Sequence, residues 1–412
     1  MLANLARDPW LGSVVVSRML MTTIFMTYAA CLTVLLEAWD MTATEAGTIA
    51  GGFHFGYMIS LVVFSWLADK IGASRVFLVS ASLSGITALL FALFAESFLS
   101  GLVLFTLVAL SQGGTYYPAI MLISDRYPSE RRGGAMGWLI AGTSLGYALS
   151  LGLAGWMLAV GGYKLAFLVT AGFTLLGSAI ALIALRRTPN VIHAHERDQG
   201  FVREIATNGP AVKLVGGYTF HSWELLGMWA WMPAFLAASL AASGSGALAA
   251  LAAGGAFLSA GFHIVGFFAS STMGQLSDRL GRRTVLLSLA AASTVCSFAI
   301  GWMVALPIAV VAVVGAIYAF TSLGDSPVLS TAITEVTRPA YLGSTLAVRG
   351  VLGFGAGAIA PLVFGMVIDA TNPAGQPPTD WGWAFVVLGL GGLLATICAY
   401  LLPRGLRREE PR

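Results

Sequence analysis

GQLSDRLGRR, residues 274–283, sets one carboxylate and three guanidinium groups in a ten-residue stretch of a chain that is otherwise 57% hydrophobic and only 10% charged. A fainter copy, SWLADKIGAS, residues 65–74, stands 209 positions earlier. Each follows a long apolar stretch and precedes another. A soluble domain of 412 residues needs far more polar surface than this composition offers. A helix crosses ~30 Å of hydrocarbon with about 20 apolar residues. Such stretches recur along the whole chain, which reads as a polytopic all-α membrane protein.

Twelve transmembrane helices are expected, near residues 17–36, 46–68, 76–94, 98–123, 135–157, 165–185, 214–236, 249–273, 285–304, 308–333, 343–368 and 383–402. The longest polar insertion, residues 186–213, divides them into two groups of six. The organisation expected is therefore an N-terminal bundle at 1–185, a cytoplasmic linker at 186–213 and a C-terminal bundle at 214–412. Twenty of the 22 Lys and Arg, Arg18 among them, fall in segments on one side if both termini lie inside. Only Lys164 falls in an outer loop, and Arg349 is left inside a span. Basic residues are retained on the cytoplasmic side, so both termini are expected there. No cleavable leader is read at the N-terminus. Cys31, Cys296 and Cys398 all lie in spans and read as packing residues, with no disulfide.

The 209-residue offset extends beyond the charged turns. It aligns Gly52, Phe53 and His54 with Gly261, Phe262 and His263, Asp69 with Asp278, and Gly72 with Gly281. It also aligns Pro118 with Pro327 and Gly134 with Gly343. The halves read as duplicated, pseudo-symmetric six-helix units in one orientation, an architecture used by secondary transporters. In the turn, Gly permits a tight chain reversal. The Asp can cap a helix or pair with an Arg. The cations suit an anionic leaflet.

With these residues GQLSDRLGRR resembles the loop motif of the major facilitator superfamily between spans eight and nine, and SWLADKIGAS a degraded form between spans two and three. DRYPSERRGGAMG, residues 125–137, is similar to a further family segment. The resemblance covers essentially the whole chain. It implies an alternating-access transporter whose spans one, four, seven and ten line a central cavity. Asp69, Gly72, Gly274, Asp278, Arg279, Gly281, Arg282 and Arg283 would then act in conformational gating. Two departures count against a drug antiporter: Ala109 stands where those exporters carry Arg before Gln112–Gly113, and Tyr147 follows Gly142 and Gly146 where they carry Pro. Glycines 142, 146, 152 and 155 are expected to pack span five at the interface between halves.

Ionisable groups within spans are costly and point to function. Glu224 lies about 15 Å along span seven at 1.5 Å per residue, and Asp325 at a similar depth on span ten. His221 shares a helical face with Glu224, Met228 and Trp231. These acids read either as protonation sites or as satisfied packing groups. Arg349 reads either as a counter-ion for an anionic substrate or as a cation paired with Asp325 or reaching the inner surface. His54 and His263 form a symmetric intramembrane pair that suits either packing or the cavity. Tyr28, Gln112, Tyr116, Trp231 and Tyr318 are expected to line the cavity, while Trp39, Trp381 and Trp383 suit the outer interfacial belt. Tyr117–Pro118 and Ser326–Pro327 are expected to break spans four and ten. His193 and His195 read as solvated linker residues.

The function expected is secondary transport of a small solute, proton-coupled, with a small organic or inorganic anion favoured. The alternative is a proton-driven exporter of drugs or amphipathic cations. An intramembrane enzyme is disfavoured, since HExxH and GxxxxGK[ST] patterns are missing from the sequence and no GxSxG-type nucleophile turn with a matching base is apparent. No cofactor, metal or nucleic-acid partner is expected. The partners expected are the solute, protons and the lipid bilayer, for a monomer in a plasma membrane of the bacterial inner-membrane kind.

Overall fold

The computed structural model describes residues 8–192, 206–244 and 246–405. His193 and His195 lie outside the described residues, as do Arg197 and Arg203. Within the described residues every regular element is helical. The first, α1 (Pro9–Met21), starts eight residues before the expected span because Pro9 sits at its first turn and the Asp8 side chain accepts from Leu11 N at 3.2 Å. After a 3₁₀ turn at Thr22–Ile24 the run continues as α2 (Thr27–Ala38). It is followed by α3 (Ala43–Ile71) and α4 (Ala73–Phe94). Span four is α5 (Phe98–Gln112), a 3₁₀ turn at Gly113–Thr115, and α6 (Tyr117–Arg126). Then come α7 (Ser129–Leu185), α8 (Gly209–Ser243), α9 (Leu248–Leu280) and α10 (Arg282–Ile300). The last are α11 (Ile308–Val336), α12 (Pro339–Thr371) and α13 (Gly382–Tyr400).

Eleven helical runs among the described residues are long and apolar enough to cross a membrane. One of them, Gly134–Leu185, has 52 residues. At 1.5 Å per residue it measures about 78 Å, more than twice the ~30 Å hydrocarbon core. Its backbone leaves helical geometry at Gly162, with φ 76° and ψ −175°, a region essentially closed to residues with a side chain. The expected spans 135–157 and 165–185 lie on either side of that break. The structure therefore shows eleven runs, the longest divided by Gly162, where the sequence suggests twelve spans. These features make the chain an integral, multi-pass membrane protein.

Helix α4 shows the solvent the fold is built for. Val79, Leu83, Ile86, Leu90 and Phe94 point outward, whereas Ser80 and Ser84 are buried and both hydroxyls donate to the Ser111 carbonyl. Large apolar side chains outside and small hydroxylated ones inside are what a lipid-facing helix requires.

The chain divides into two compact units. The first comprises Met1–Met41, Gly52–His195 and Ala247–Ala260; the second comprises Thr42–Gly51, Glu196–Gly246 and Gly261–Arg412. The start of α3 belongs to the second unit because two of its glycines let its backbone touch α12. A Cβ on Gly47 would stand 2.2 Å from the Pro361 carbonyl oxygen, and one on Gly51 2.2 Å from that of Ala358. The first unit has a core around Phe77, Leu122, Leu139 and Leu185. The second has one around Leu214, Leu286, Val328 and Ile333.

Several expectations change at this level. Gly142 and Gly146 admit α1, facing Val15 and Thr22, whereas Gly155 faces Ala253 and Ala256 of α9 and a Cβ on Gly152 would meet nothing within 4 Å. Trp39 and Trp381 are buried among rings, Trp39 beside Tyr28, Tyr163 and Phe167, and Trp381 beside Trp231, Phe235 and Phe364. They are core residues, and of the three tryptophans only Trp383 is exposed. Span four breaks immediately before Pro118, as expected. Span ten runs on through Pro327 as one helix. The carbonyl that Pro327 leaves unbonded, Leu323 O, instead accepts from the Ser270 hydroxyl at 3.0 Å.

Candidate functional site

The first unit holds a cation that the sequence reading had counted with the inner-side residues. Arg18 lies nine residues into α1, about 14 Å along the helix, and is 1% exposed. The count was misled because the helix begins at Pro9, well before the apolar stretch. Its Nη1 donates to the Thr115 hydroxyl and its Nη2 to Tyr57 Oη at 3.3 Å. The rings of Tyr116 and Phe25 stand 5.6 Å and 5.9 Å from the guanidinium carbon. Nε is buried with no partner, and no carboxylate pairs with Arg18 among the described residues. A lone cation within a span costs about 2.5–3.5 kcal/mol even on the mildest scale.

This arginine sits where two helices unwind. The 3₁₀ turns at Thr22–Ile24 and Gly113–Thr115 free backbone groups, and nearby side chains take them up. Gln112 Nε2 donates to Met21 O at 2.9 Å, and the Ser150 hydroxyl bonds Thr23 O and accepts from Met26 N. Ser60 Oγ accepts from Gly113 N at 2.9 Å. Discontinuous helices that expose backbone around a buried charge are a hallmark of solute sites in transporters. Of the residues expected around the cavity here, Gln112 and Tyr28 are fully buried, Tyr28 packing on Phe105, while Tyr116 lies against Arg18. His54 is half-buried, with its ring edge-on to Phe53.

The second unit holds the other in-span charges in three separate groups. His221 Nδ1 lies 3.0 Å from Asp325 Oδ2, and His221 Nε2 lies 3.1 Å from Ser326 Oγ. Asp325 Oδ1 is buried without a partner. Glu224 makes a different contact: Oε1 accepts from the Ser293 hydroxyl at 3.0 Å, and Oε2 lies where a Cβ on Gly392 would be. Arg349 does not pair with Asp325. It is 9% exposed, donates to Ser330 Oγ at 3.0 Å, and stacks 3.8 Å above the Tyr218 ring. Its Nε too has no partner. Tyr318 donates to Ser297 Oγ at 3.0 Å, and Trp231 Nε1 donates to Pro361 O at 3.1 Å; both are fully buried. His263 stacks on Trp229 with ring centroids 3.7 Å apart. The two histidines aligned in sequence thus have unlike surroundings.

The charged turn is built around Arg282. It forms ion pairs with Asp278, 2.6 Å, and with Glu335 of α11, 2.8 Å. Gly281 makes the turn possible with φ 86° and ψ 145°, and Gly274 has Pro327 as its nearest neighbour. Arg283 donates to Tyr400 O at 2.8 Å, while Arg279 is exposed in the last turn of α9. The fainter copy has no arginine at the place of Arg282. There Gly72, φ 92°, is spanned by Asn190, which donates to Ile71 O at 2.7 Å and accepts from Arg75 N at 3.2 Å. Asp69 stands in the last turn of α3.

Comparison with known proteins places these features in context. The family model described as the Major Facilitator Superfamily matches residues 13–269. The chain is 28% identical over 171 residues to the voltage-gated purine nucleotide uniporter SLC17A9 of Rattus norvegicus, covering 40% of this chain and 38% of that one. It is 32% identical over 132 residues to the gentisate transporter of Corynebacterium glutamicum, covering 32% of this chain and 28% of that one. The matches thus span well under half the length of these relatives. A crystal structure of a bacterial homologue of the human lysosomal transporter Spinster, in an inward-facing and occupied conformation, superposes with a TM-score of 0.75. That match covers 96% of both chains at 17% identity, and the likeness is one of fold.

Proposed function

Because the chain belongs to the major facilitator superfamily, a family of transporters, we propose that it carries a small organic anion across the membrane by alternating access, coupled to protons. The observation that carries this reading is the pair of uncompensated buried arginines. Arg18 in one unit and Arg349 in the other each keep an unpartnered Nε, hydroxyl neighbours and an aromatic face, and among the described residues neither has a carboxylate. A guanidinium left in that state is prepared for a planar carboxylate or phosphate. Gentisate and purine nucleotides, named for two relatives, are both anions, which supports the class. Under the alternative, export of amphipathic cations, two lone buried cations would oppose the cargo.

Glu224 and the His221–Asp325 pair are the proton-carrying groups in this proposal, with His54 and His263 as further candidates. Tyr28, Gln112 and Tyr116 shape the surroundings in the first unit, and Trp231 and Tyr318 those in the second. The Arg282–Asp278–Glu335 cluster, with its glycine turn, serves as a conformational latch. The protein works as a monomer in a plasma membrane, with both termini in the cytoplasm.

The test is uptake of radiolabelled gentisate and of ATP into proteoliposomes, with ethidium efflux as the cationic arm. Wild type is expected to move an anion, and Arg18→Gln and Arg349→Gln to lower that rate at least tenfold. Anion uptake unchanged in both variants, alongside ethidium efflux, would overturn the reading in favour of the exporter.

A further inference from the structure

A narrow crevice enters the second unit from the end where α8 begins and α13 ends. Lys213 and Leu402 stand at its mouth, and its walls are made by Gly217, Ala290, Ala395 and Ala399. Asp325 closes it. The crevice is open because three helices each present small residues to it: α8 at Gly217, α10 at Ala290, and α13 at Ala395 and Ala399. Continuing each row by three or four residues reaches polar atoms. On α8 the row goes from Gly217 to His221 and Glu224. On α10 it goes from Ala290 to Ser293, which donates to Glu224, and on α13 from Ala395 to Gly392, which touches Glu224.

Asp325 is the polar group at which this passage ends. It is 4% exposed; Oδ2 holds His221 Nδ1 at 3.0 Å, and Oδ1 has no partner. His221 thus stands between the carboxyl of Asp325 on its Nδ1 side and the Ser326 hydroxyl on its Nε2 side. Oδ1 is the oxygen of Asp325 left without a partner. The other titratable or charged groups around it are Lys213 at the mouth, Glu224 beyond His221, the Cys398 thiol beside Gly216, and Arg349 of α12, which is held by Ser330. The lining residues of α10 and α13 carry no charge.

We propose that this crevice is a proton and water path of the second unit's own, leading from its linker end to Oδ1 of Asp325 and separate from the path taken by the solute. A hydronium ion in the crevice gives a proton to Oδ1: one of its O–H bonds breaks as the new O–H bond forms, leaving water. The reverse step returns the proton to water. This inference rests on the proton-coupled reading above and locates its access route.

The experiment separates the two. Full-length protein in proteoliposomes is assayed for gentisate exchange at equal pH and for gentisate uptake driven by an imposed pH gradient. Ala395→Leu narrows the crevice. Gly217→Ala is the milder variant, since its Cβ would meet Cys398 and Leu329 at ordinary contact distances of 3.5 and 3.9 Å. Both variants are expected to keep exchange within twofold of wild type and to lower gradient-driven uptake at least fivefold, and Asp325→Asn to lower gradient-driven uptake at least as far. Equal losses in the two assays, or none in either, would overturn the crevice as a proton path. If wild type moves no gentisate, or is indifferent to the gradient, the functional reading fails on its own. The crevice is then judged by hydrogen–deuterium exchange at the Asp325 carboxyl, followed by infrared difference spectra against Asp325→Asn. At least tenfold slower exchange in Ala395→Leu supports it, and equal rates refute it.

Discussion

The carboxylate of Asp369, at the end of α12, caps the helix that begins at Ala43: its Oδ1 lies 2.9 Å from Ala43 N and its Oδ2 2.8 Å from Thr44 N. The Thr44 hydroxyl donates to the same Oδ2. Asp369, 325 positions away, thus adds a second cap to the local one in which Glu45 N donates to the Thr42 hydroxyl and Thr42 N to Glu45, and it binds the helix start to α12 alongside the close approaches of Gly47 and Gly51. If α3 is to part from α12 during a transport cycle, this cap must open.

Asp369→Ala should therefore cost about 1–2 kcal/mol, the usual worth of an N-cap. Hydrogen exchange at Thr44–Thr48 should rise at least fivefold, and Asp369→Asn should fall in between because an amide oxygen still accepts. Unchanged exchange in the alanine variant would show that the glycine contacts hold the helix without the cap.

Arg18 offers a test that separates charge from shape. Lysine keeps the charge but loses the planar fork that reaches Thr115 and Tyr57 together. Arg18→Lys should weaken gentisate binding about tenfold, roughly 1.4 kcal/mol, and Arg18→Gln more. Isothermal calorimetry on purified protein checks this. Equal affinities for the lysine and glutamine variants would mean that the charge does not matter, and a lysine variant equal to wild type that the fork does not.

The glycine turns make a prediction about backbone alone. A Cβ at Gly162 or Gly281 would meet nothing within 4 Å, so space is available and only the dihedral angles object. Gly162→Ala and Gly281→Ala should each destabilise by about 1–3 kcal/mol, read as a lower melting temperature in detergent. Gly274→Ala, in a helix and with only Pro327 near at 3.9 Å, should be close to neutral. A neutral Gly162→Ala would deny that the long α7 run needs this residue to turn.

Glu224 and Gly392 should be coupled. A methyl group on Gly392 would stand 2.6 Å from Glu224 Oε2, so Gly392→Ala must displace the carboxylate from its Ser293 bond. The cost should be about 1–3 kcal/mol for overpacking. It should shrink in a Glu224→Ala background, because of the obstructing groups only the Thr294 hydroxyl, 2.8 Å away, would remain. Additive costs in a double-mutant cycle of melting temperatures would break this link.

Glu224, Asp325 and Arg349 could be picked out from sequence because a charge in a long apolar run stands out whatever the fold does with it. The turn at residues 274–283 was legible for a similar reason: glycine and charge at fixed spacing constrain a local structure. Arg18 was not legible as a buried group. It lies near the edge of an apolar run, and its depth depends on α1 starting at Pro9 and on Tyr57 and Thr115 approaching from two other helices. Asp369 sits one residue past an expected span and reads as an ordinary end-of-helix acid until α3 arrives.

From sequence alone came the membrane class, the helical spans, the internal duplication and the family, since hydropathy and local spacing are properties of neighbouring residues. The folded molecule alone determined which charges lack partners, which acid takes which hydroxyl, and which small residues line a passage. Those outcomes depend on contacts between residues 53 to 325 positions apart, and no local pattern in the chain encodes a pairing at that range.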